Sequence, residues 1–588
     1  MSRTITCIAE KPSVAKDIAK VLGCTEAKDG YYEGFSVILN AITRVTWTYG
    51  HLCELKLPHD YHPEWKQWNM RQLPLIPTKF QIKLKPNDGV QRQFNIIKEL
   101  FNSSDEIINC GDAGQEGELI QRWVLQQTGA TCPVKRLWIS SMTDEAIKAG
   151  FEHLEDQSKY QHLYEAGLAR ACGDWLIGMS ASRYYTLMGR NGGGPTLSIG
   201  RVQTPTLAMI VKRQEEIDNF VPEDYYVLST IYRDVTFQAT KGSYKDKEAA
   251  KGDLDTIKGK PFKITGITTK KSNEAPPRLY DLTSLQVDMN KKYGYSAEFT
   301  LETLQTLYES KLVTYPRVDT TYLPEDVYGD CPRILSGLVG YSDYTSKILK
   351  GKLRKDKKFF DSSKVTDHHA IIPTGKTPSS LNDAQINLFD DIVKHFIAIF
   401  YPDCVSSVTN VTGKVDKVEF KANGKQILDY GWYDVFGKAP EGKILPNFVK
   451  GEEGSHKPTL TTKTTTPPSL YTEATLLRAM ETAGNDVDDE DLRNAMKANG
   501  IGRPSTRAAI IELLFKRGYI AHQKKNIIPT AIGVELIGAV SNPLLKSPEL
   551  TGQWEKKLRD IEQGKYPVKN FIDELKDMTY KIVGKTRV

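Results

Sequence analysis

One tyrosine is followed closely by an arginine in the stretch LVTYPRVDTTYLPE, residues 312–325. A phenol has a pKa of about 10 and is a poor nucleophile at neutral pH unless positive charge stabilises its anion. Arg317 could supply that charge to Tyr315 and hold a phosphate with its planar guanidinium, while Pro316 fixes the backbone between them. The triplet therefore allows attack on a phosphodiester, although any one of the 28 tyrosines in the chain is more often a packing residue.

Further side chains could assist such an attack. Lys11 follows Glu10 near the amino terminus, and the segment KVTDHHAIIPT supplies His368 and His369. Lysine and histidine can bind phosphate oxygens, and a carboxylic acid can protonate a departing hydroxyl. Each residue is weak evidence alone, because a lone histidine is usually structural. Together with the tyrosine and the arginine they indicate a transesterification at phosphorus, as in tyrosine recombinases or topoisomerases.

Carboxylates follow two of the predicted strands. TITCIA predicts a strand that ends before Glu10, and DEIINC predicts one that ends before GDAGQEGE, which contains Asp112 and Glu116. Ligands bind at the carboxyl ends of strands in an open α/β sheet, so the three acids converge if the two strands are neighbours. Crowded carboxylates need raised pKa values or a metal, and oxygen ligands alone favour magnesium. First-turn acids that stabilise a helix dipole are an equally good explanation of the GDAGQEGE segment by itself.

The first 150 residues must position these acids. β-like segments alternate there with amphipathic helical segments, which predicts a largely parallel α/β sheet. SVAKDIAKVLG predicts a helix that Ser13 caps and Gly23 ends, and TDEAIKAGF predicts a helix capped by Thr143. No G-x-x-x-x-G-K-[ST] loop occurs, so we do not expect ATP to drive the chemistry.

The rest of the chain changes character several times. The regions are mainly helical over 151–215 and 467–588, β-like over 216–276 and 405–466, and helical again over 277–404. The return to β-like sequence predicts one domain inserted into the sheet of another. TLETLQTLYESKLVTYPR and STRAAIIELLFKRGYIAHQK each predict a helix followed by a short strand, typical of winged helix-turn-helix units or of ordinary helix–strand corners.

Composition limits the class of protein to a multidomain chain without a membrane span, but it does not decide the function. A chain of 588 residues is too long for one hydrophobic core, and a net charge of +6 is compatible with nucleic acid without being diagnostic. No stretch approaches the roughly 20 apolar residues of a membrane span, and charged residues interrupt the amino terminus, so we expect a cytoplasmic location. The eight cysteines form no C-x-x-C pair, which disfavours a cysteine-ligated zinc site.

A series of motifs extends along the chain to about residue 575. In order, they are IAEKPSVAKDIAKVLG, TYGHLCEL, GDAGQEGELIQRW, RLWISSMTDEAI, RACGDWLIGMSASR, LSIGRVQTPTLAMIV, RLYDLTSLQ, LVTYPRVDTTYLPE, DHHAIIPT, YTEATLLRAM and GIGRPSTRAAIIELLFKRGYI. This series resembles the type IA DNA topoisomerases, and within them a bacterial-like core of the topoisomerase III branch.

The resemblance implies a multidomain fold of α/β plus α+β class, arranged as a torus. Its implied domains are a Toprim α/β catalytic domain (1–150), a helical and winged-helix (CAP-like) domain with a groove for single-stranded DNA (151–215 and 467–588), a β-rich hinge domain (216–276 and 405–466) and a domain that carries the nucleophilic tyrosine (277–404).

The resemblance also implies roles for the candidate catalytic residues. Tyr315 matches the nucleophile that forms a 5′-phosphotyrosine link with one DNA strand. Arg317, Lys11 and His368 match residues at the scissile phosphate. Glu10 matches the acid that gives a proton to the departing 3′-hydroxyl.

Magnesium is the implied cofactor, with Asp112, Glu116 and Glu10 as its ligands. The family motif D-x-D-x-E lacks its middle aspartate here, because Gly114 stands in that place, and Gln115 replaces the usual arginine. We therefore expect a single magnesium ion bound through Asp112, Glu116 and water. The residues that match the single-strand groove are Arg170, Asp174, Ser198, Arg201 and Gln203.

The implied activity is relaxation of negative supercoils and decatenation, without ATP, by a nucleoid-associated monomer that acts on single-stranded, supercoiled or catenated DNA and on no membrane. RNA as a further substrate and a RecQ-type helicase as a partner stay open. The family's carboxy-terminal zinc cysteines are absent, so the chain ends after its core or an extension has been removed. Two alternatives compete: a Toprim-type nuclease or primase, which needs no tyrosine, and a DNA-binding scaffold without enzymatic activity.

Overall fold

Two seven-stranded sheets and two largely helical clusters dominate the structure, a computed structural model that describes residues 3–139, 142, 144–189, 196–365, 368–437, 441–486 and 500–586. Within these ranges every helix is too short or too polar to cross a membrane. The limits of the four predicted domains stay predictions.

The amino-terminal sheet forms because short buried strands alternate with helices that are apolar on one face. Its strands are β1 (Thr4–Ala9), β2 (Glu26–Lys28), β3 (Tyr31–Ser36), β4 (Ala41–Trp47), β7 (Glu106–Cys110), β8 (Val134–Arg136) and β9 (Glu155–Asp156), with a separate pair β5 (Cys53–Leu55) and β6 (Ile82–Leu84). Its helices are α1 (Pro12–Leu22), α2 (Pro58–Tyr61), α3 (Asp88–Asn102), α4 (Gln115–Thr128) and α5 (Asp144–Glu152).

The strand order places three loops at one edge of this sheet. The order is β2-β3-β4-β1-β7-β8-β9, and β1 is parallel to both β4 and β7. Ala9 pairs with Trp47 on one side and with Cys110 on the other. The residues that follow β1, β4 and β7 therefore leave the sheet together, at the edge where α/β proteins bind ligands.

Helix α1 begins differently from the sequence prediction. Pro12 occupies the first helical position, where its fixed φ is favourable and its missing N–H is not needed. Lys11 is the N-cap residue and makes no side-chain cap bond, so the prediction that Ser13 caps this helix is wrong. Gly23 ends the helix with a φ of 76°, as predicted. Thr143, the predicted cap of α5, lies outside the described residues.

A second unit packs several helices against one long helix. Its elements are α6 (Gln161–Gly189), α7 (Gln203–Asp218), α15 (Glu473–Thr482), α16 (Pro504–Lys516), α17 (Ala531–Ala539), α18 (Glu549–Glu562), α19 (Val568–Ile582) and the hairpin β17 (Ile520–Gln523) and β18 (Asn526–Pro529). Gly173 of α6 lets Trp554 of α18 approach closely, since a Cβ there would lie 2.6 Å from the indole ring. The hairpin after α16 is the wing that the sequence pattern allowed.

The second sheet is antiparallel and is built from two distant chain segments. Its strands are β10 (Asp224–Tyr232), β11 (Val235–Tyr244), β12 (Phe262–Glu274), β13 (Cys404–Val415), β14 (Val418–Asp429), β15 (Glu453–Gly454) and β16 (Lys457–Thr464), in the order β15-β12-β13-β14-β11-β10-β16, with helix α8 (Lys247–Ile257). β12 and β13 pair as far as Glu274 opposite Cys404. The threonine-rich segment Lys457–Thr464 forms edge strand β16, which pairs with β10.

The excursion between β12 and β13 is a helical unit that carries Tyr315. Its helices are α9 (Leu282–Tyr293), α10 (Ala297–Glu309), α11 (Cys331–Gly337), α12 (Ser342–Leu349) and α13 (Asp383–Ala398), followed after β14 by the short helix α14 (Tyr433–Phe436). After α10 the chain makes only an isolated bridge between Val313 and Pro373 rather than a wing strand. Tyr315 therefore sits on an irregular segment that is held against the buried cluster of this unit.

Candidate active site

The loops that follow β1 and β7 bring the predicted acids together. Glu10 and Lys11 come directly after β1, and Asp112 follows β7 before α4 begins at Gln115. The backbone carbonyl of Glu10 accepts a hydrogen bond of 2.9 Å from Thr48 Oγ1, which fixes the loop after β1 to the loop after β4. The condition that the two acidic strands be neighbours is therefore met.

Tyr315 reaches this edge from the other side of the cavity. Lys11 Nζ donates a 2.6 Å hydrogen bond to Tyr315 Oη and lies 4.4 Å from the centre of the ring. The same ammonium lies 3.4 Å from Asp112 Oδ2 and 3.6 Å from Glu10 Oε1. Burial opposes the charge of Lys11, but Asp112 and Tyr315 outweigh it and raise the pKa of the ammonium above its usual value. Lys11 is thus a charged bridge between the tyrosine and the acids.

The two reacting groups have shifted pKa values. Burial, followed by the charge of Asp112, raises the pKa of Glu10 to about 7. Burial also raises the pKa of Tyr315 to about 12, against the opposing effect of Lys11. Burial would raise the pKa of Asp112 too, but His368 and Lys11 hold it below its usual value. Near neutral pH Tyr315 is therefore a neutral phenol, Asp112 is ionised, and Glu10 is close to half protonated.

His368 and Arg317 complete the surroundings of the tyrosine. His368 Nε2 lies 3.6 Å from Asp112 Oδ2, and its ring centre lies 4.2 Å from that of Tyr315. Apart from the contact with Asp112, which is slightly longer than a normal hydrogen bond, the buried nitrogen has no hydrogen-bond partner among the described residues, and a ligand atom could complete its bonding. Arg317 is exposed and lines the same cavity of about 680 Å³. His369, the other histidine of the pair, does not line this cavity and contacts the carbonyl of Ala370.

The acids fit a divalent ion that keeps much of its water. Glu116 is exposed at the start of α4, where its Oε1 lies 2.5 Å from His51 Nε2, and this contact lowers its pKa. Among the described residues no three acidic, histidine or cysteine side chains are grouped closely enough to hold a metal by themselves. Mg²⁺ commonly binds through one or two carboxylates and several waters, so Asp112 and Glu116 suit it by chemistry and number.

The five predicted groove residues fall into two contact groups. Arg201 Nε lies 3.1 Å from Asp174 Oδ1, and both Arg201 and Arg170 contact Glu555, Arg170 at 2.5 Å. In the second group Gln203 donates to Ser198 Oγ at 3.1 Å and accepts from Arg517. Of the five, only Arg170 lines the cavity that contains Tyr315.

Sequence reasoning missed several residues at this site. Glu555 bridges two groove arginines, and Arg170 and Arg503 both donate to Gln115 Oε1 at 3.1 Å. Trp138 also lines the cavity. His51 could have been found from its place after β4, had the strand order been known. Glu555 lies 385 positions from Arg170, and nothing in the sequence near either residue indicates that they meet.

Comparison with known proteins finds two family models that match this chain. Residues 158–573 match the family model described as DNA topoisomerase, and residues 5–142 match the Toprim domain. The chain belongs to the DNA topoisomerase family. The topoisomerase model alone spans more than half of the chain, and the Toprim match covers the two strands that Glu10 and Asp112 follow.

Relatives and a solved structure extend the match to the full chain. DNA topoisomerase 3 of Bacillus cereus is 39% identical over 612 residues, covering 100% of this chain and 82% of the relative. DNA topoisomerase 3 of Bacillus subtilis is 37% identical over 607 residues, with coverage of 99% and 82%. The structure of full-length topoisomerase I from Thermotoga maritima has the same fold, with a TM-score of 0.71 and 23% identity over 99% of this chain and 91% of that one.

These matches confirm the predicted family and fold class. The protein is a type IA DNA topoisomerase, an isomerase, with a Toprim domain ahead of its topoisomerase core and relatives of the topoisomerase III branch. A Toprim domain binds divalent metal ions.

Proposed function

We propose that this topoisomerase cuts one DNA strand with Tyr315 and reseals it after another strand or duplex has passed. The observation that carries the proposal is the 2.6 Å contact between Tyr315 Oη and Lys11 Nζ. Among the described residues, Tyr315 is the tyrosine whose hydroxyl is bonded to Lys11. Lys11 in turn contacts Glu10 and Asp112. A nuclease or primase of Toprim type would have no use for a tyrosine there.

In the cleavage step, Tyr315 Oη attacks the scissile phosphorus and the bond from phosphorus to the 3′-oxygen breaks. Lys11 stabilises the developing phenolate, which lowers the cost of losing the phenol proton to water. Arg317 and His368 Nε2 hold the non-bridging oxygens. Glu10, partly protonated near neutral pH, gives its proton to the departing 3′-oxygen. Religation runs the same steps in reverse, so no ATP is needed.

We assign the divalent ion as Mg²⁺, held by Asp112 and Glu116 with Glu10 nearby. The ion would supply positive charge close to the scissile phosphate, which strengthens the binding of the strand. The contact with His51 occupies Oε1 of Glu116, and the other oxygen of this exposed carboxylate can face the ion or one of its waters. An unchanged magnesium requirement and activity in Asp112→Asn would remove this assignment.

The single strand is proposed to run along Arg170, Asp174, Ser198, Arg201 and Gln203 before it reaches Tyr315. We propose negatively supercoiled and catenated DNA as the substrates of relaxation and decatenation, with the enzyme acting as a monomer in the nucleoid. RNA and a RecQ-type helicase stay predictions of the family resemblance.

The test uses an end-labelled single-stranded oligonucleotide, magnesium and a denaturing gel. Wild-type protein should retain label covalently on the protein band, and Tyr315→Phe should retain none and should not unlink catenated DNA circles. Tyr308→Phe is the matched control, because Tyr308 is also half-buried and its ring centre lies 5.6 Å from that of Tyr315. Tyr308→Phe should form the adduct normally.

Two other outcomes separate the alternatives. Cleavage by Tyr315→Phe at the wild-type rate would indicate a nuclease that uses the same acids. Binding without cleavage by wild-type protein, with magnesium present, would indicate a scaffold.

A further inference from the structure

A large aromatic side chain is exposed inside the cavity that contains the catalytic groups. Trp138 follows β8 in the amino-terminal sheet and is 41% exposed. It lines the same cavity as Lys11, Tyr315 and Arg317. An exposed indole among phosphate-binding cations is the combination with which proteins grip single-stranded nucleic acid.

Two other side chains pack against the ring. Tyr160 stacks on Trp138, with ring centres 4.9 Å apart and an angle of 27° between the planes. The guanidinium carbon of Arg136 lies 5.0 Å from the centre of the indole. Tyr160 is itself fixed by a 2.5 Å hydrogen bond to Glu155. The indole is therefore held in place before any ligand arrives, so little conformational entropy is lost when a base stacks on it.

The same arginine connects Trp138 to the loop that carries Asp112. Arg136 is completely buried, and its Nη2 donates to the carbonyl of Asp112 at 2.8 Å while its Nη1 donates to that of Gly111 at 2.7 Å. Trp138 and Asp112 thus belong to one rigid arrangement. A base stacked on the indole would be placed at a fixed position relative to the acids that surround the scissile phosphate.

Helix α6 connects the neighbourhood of Trp138 to the proposed DNA groove. Tyr160 directly precedes α6, and Arg170 lies ten residues further on, which corresponds to about 15 Å along the helix axis. Leu163 and Arg170 of this helix both line the cavity. The indole therefore stands a few nucleotides away from the arginine at which the groove enters the cavity.

We propose that Trp138 is a stacking platform for one base of the bound single strand, within a few nucleotides of the bond that Tyr315 attacks. The proposal rests on the proposed function, since it takes single-stranded DNA as the ligand. Because every base has a π-face, the platform would fix the register of the strand without reading its sequence.

The test measures binding of oligonucleotides that carry one abasic site, moved step by step across the mapped cleavage position. Tyr315→Phe serves as the background so that no strand is cut. At one position the abasic site should weaken binding about tenfold, or ~1.4 kcal/mol. Adding Trp138→Ala should weaken binding of the intact strand by a similar factor and remove the effect of the abasic site at that position. Trp138→Phe should retain most of the affinity.

Trp68 provides a matched control. It is 38% exposed and lies 5.3 Å from the guanidinium of Arg183, but it does not line the cavity. Trp68→Ala should leave both the affinity and the abasic profile unchanged.

The possible outcomes are distinct. If Trp138→Ala and the abasic site weaken binding additively at every position, Trp138 acts on the fold of the loop and the proposal is overturned. A profile without any sensitive position overturns it as well. Failure of the proposed function would show separately, as absence of the covalent adduct with wild-type protein.

Discussion

At the scale of single residues, Lys11 connects three groups of the cavity. Its ammonium contacts Tyr315, Asp112 and Glu10 within 3.6 Å. His368 and Lys11 hold the pKa of Asp112 low and keep it ionised, whereas burial and the charge of Asp112 raise the pKa of Glu10, so that Glu10 is partly protonated near neutral pH. Two carboxylates in one pocket are thus given different protonation states by one ammonium and one histidine.

The pKa of Glu10, raised to about 7, predicts how religation depends on pH. Religation requires Glu10 to accept the proton of the 3′-hydroxyl, and only its carboxylate form, which predominates above that pKa, can do so. The rate should fall about tenfold per unit below pH 7 and level off above it. Glu10→Gln should religate about 100-fold more slowly on the plateau and lose the dependence. Rapid-quench religation of a pre-cleaved oligonucleotide measures both.

Glu106→Gln is the control for this profile, since Glu106 pairs with Arg3 away from the cavity and should leave the curve unchanged. A wild-type rate that increased on acidification would show that Glu10 does not act as the base.

Glu555 should limit the affinity for single-stranded DNA. Its carboxylate contacts Arg170 at 2.5 Å and Arg201 at 3.4 Å, and although burial opposes ionisation, Arg170 above all lowers its pKa to about 2. It therefore stays charged and competes with phosphate for both arginines. Glu555→Gln should bind a labelled oligonucleotide about fivefold more tightly, with a salt dependence steeper by about one phosphate contact.

The control for Glu555 is Glu574, which pairs with Lys557 outside the cavity. Fluorescence anisotropy titrations at several salt concentrations should find Glu574→Gln equal to wild type. Weaker binding by Glu555→Gln would instead show that Glu555 mainly orients Arg170.

At the scale of elements, the first turn of α4 fits against the loop that carries Asp112. A Cβ at Gly117 would lie 2.7 Å from the backbone nitrogen of Asp112 and closer still to its carbonyl oxygen. Gly117→Ala should displace this loop and lower the rate of oligonucleotide cleavage more than about tenfold, because misplacing a reacting group by about 1 Å has effects of that size.

Gly252 in α8 provides a matched helical glycine, since a Cβ added there would meet no neighbouring atom within 4 Å. Gly252→Ala should cleave normally and unfold at no lower temperature, since alanine favours a helix interior by about 0.5–1 kcal/mol. Equal cleavage by the two alanine variants would mean that the Asp112 loop adapts.

Much of the site could be predicted from the local sequence pattern of strands and helices. The remainder depends on contacts between distant segments of the chain. The positions of Glu10 and Asp112 are predictable because each follows a buried strand, and parallel neighbours end at one edge. The prediction of Ser13 as a cap is wrong, because the proline before it can begin the helix without one. Glu555 and Trp138 could not be found, because their positions follow from α6 packing against α18 and from Tyr160, not from any nearby spacing.

At the scale of the whole molecule, the amino-terminal unit and the tyrosine unit meet through few polar contacts among the described residues. Besides the contacts of Lys11 and His368, Tyr308 contacts Ser13, and Lys311 Nζ lies 3.1 Å from Asp17 Oδ1, where both side chains are partly exposed. Exposed ion pairs contribute little stability, about 0–1 kcal/mol. This boundary is therefore suited to open once the strand has been cut.

A cross-link across this boundary should separate cleavage from strand passage. Asp17→Cys with Lys311→Cys, joined by a bismaleimide after an oligonucleotide has been loaded, should form the tyrosine adduct normally. The same protein should not unlink catenated circles, because the two units can no longer part. Gel assays of adduct and of unlinking, on the same sample, make the comparison.

The double-cysteine protein treated with a monofunctional maleimide is the control and should unlink circles. Cys132 should be changed to serine in all samples, because the other native cysteines are buried. Full unlinking by the cross-linked protein would place the opening at another boundary.

Because Glu274 pairs with Cys404, the chain leaves the sheet for the tyrosine unit and returns to the sheet at one and the same residue pair. The tyrosine unit is therefore connected to the sheet by two adjacent strands, β12 and β13. A rotation of that unit would bend both strands at the same point without stretching either. The sheet can keep all of its strand pairing while the cleaved DNA end moves together with Tyr315.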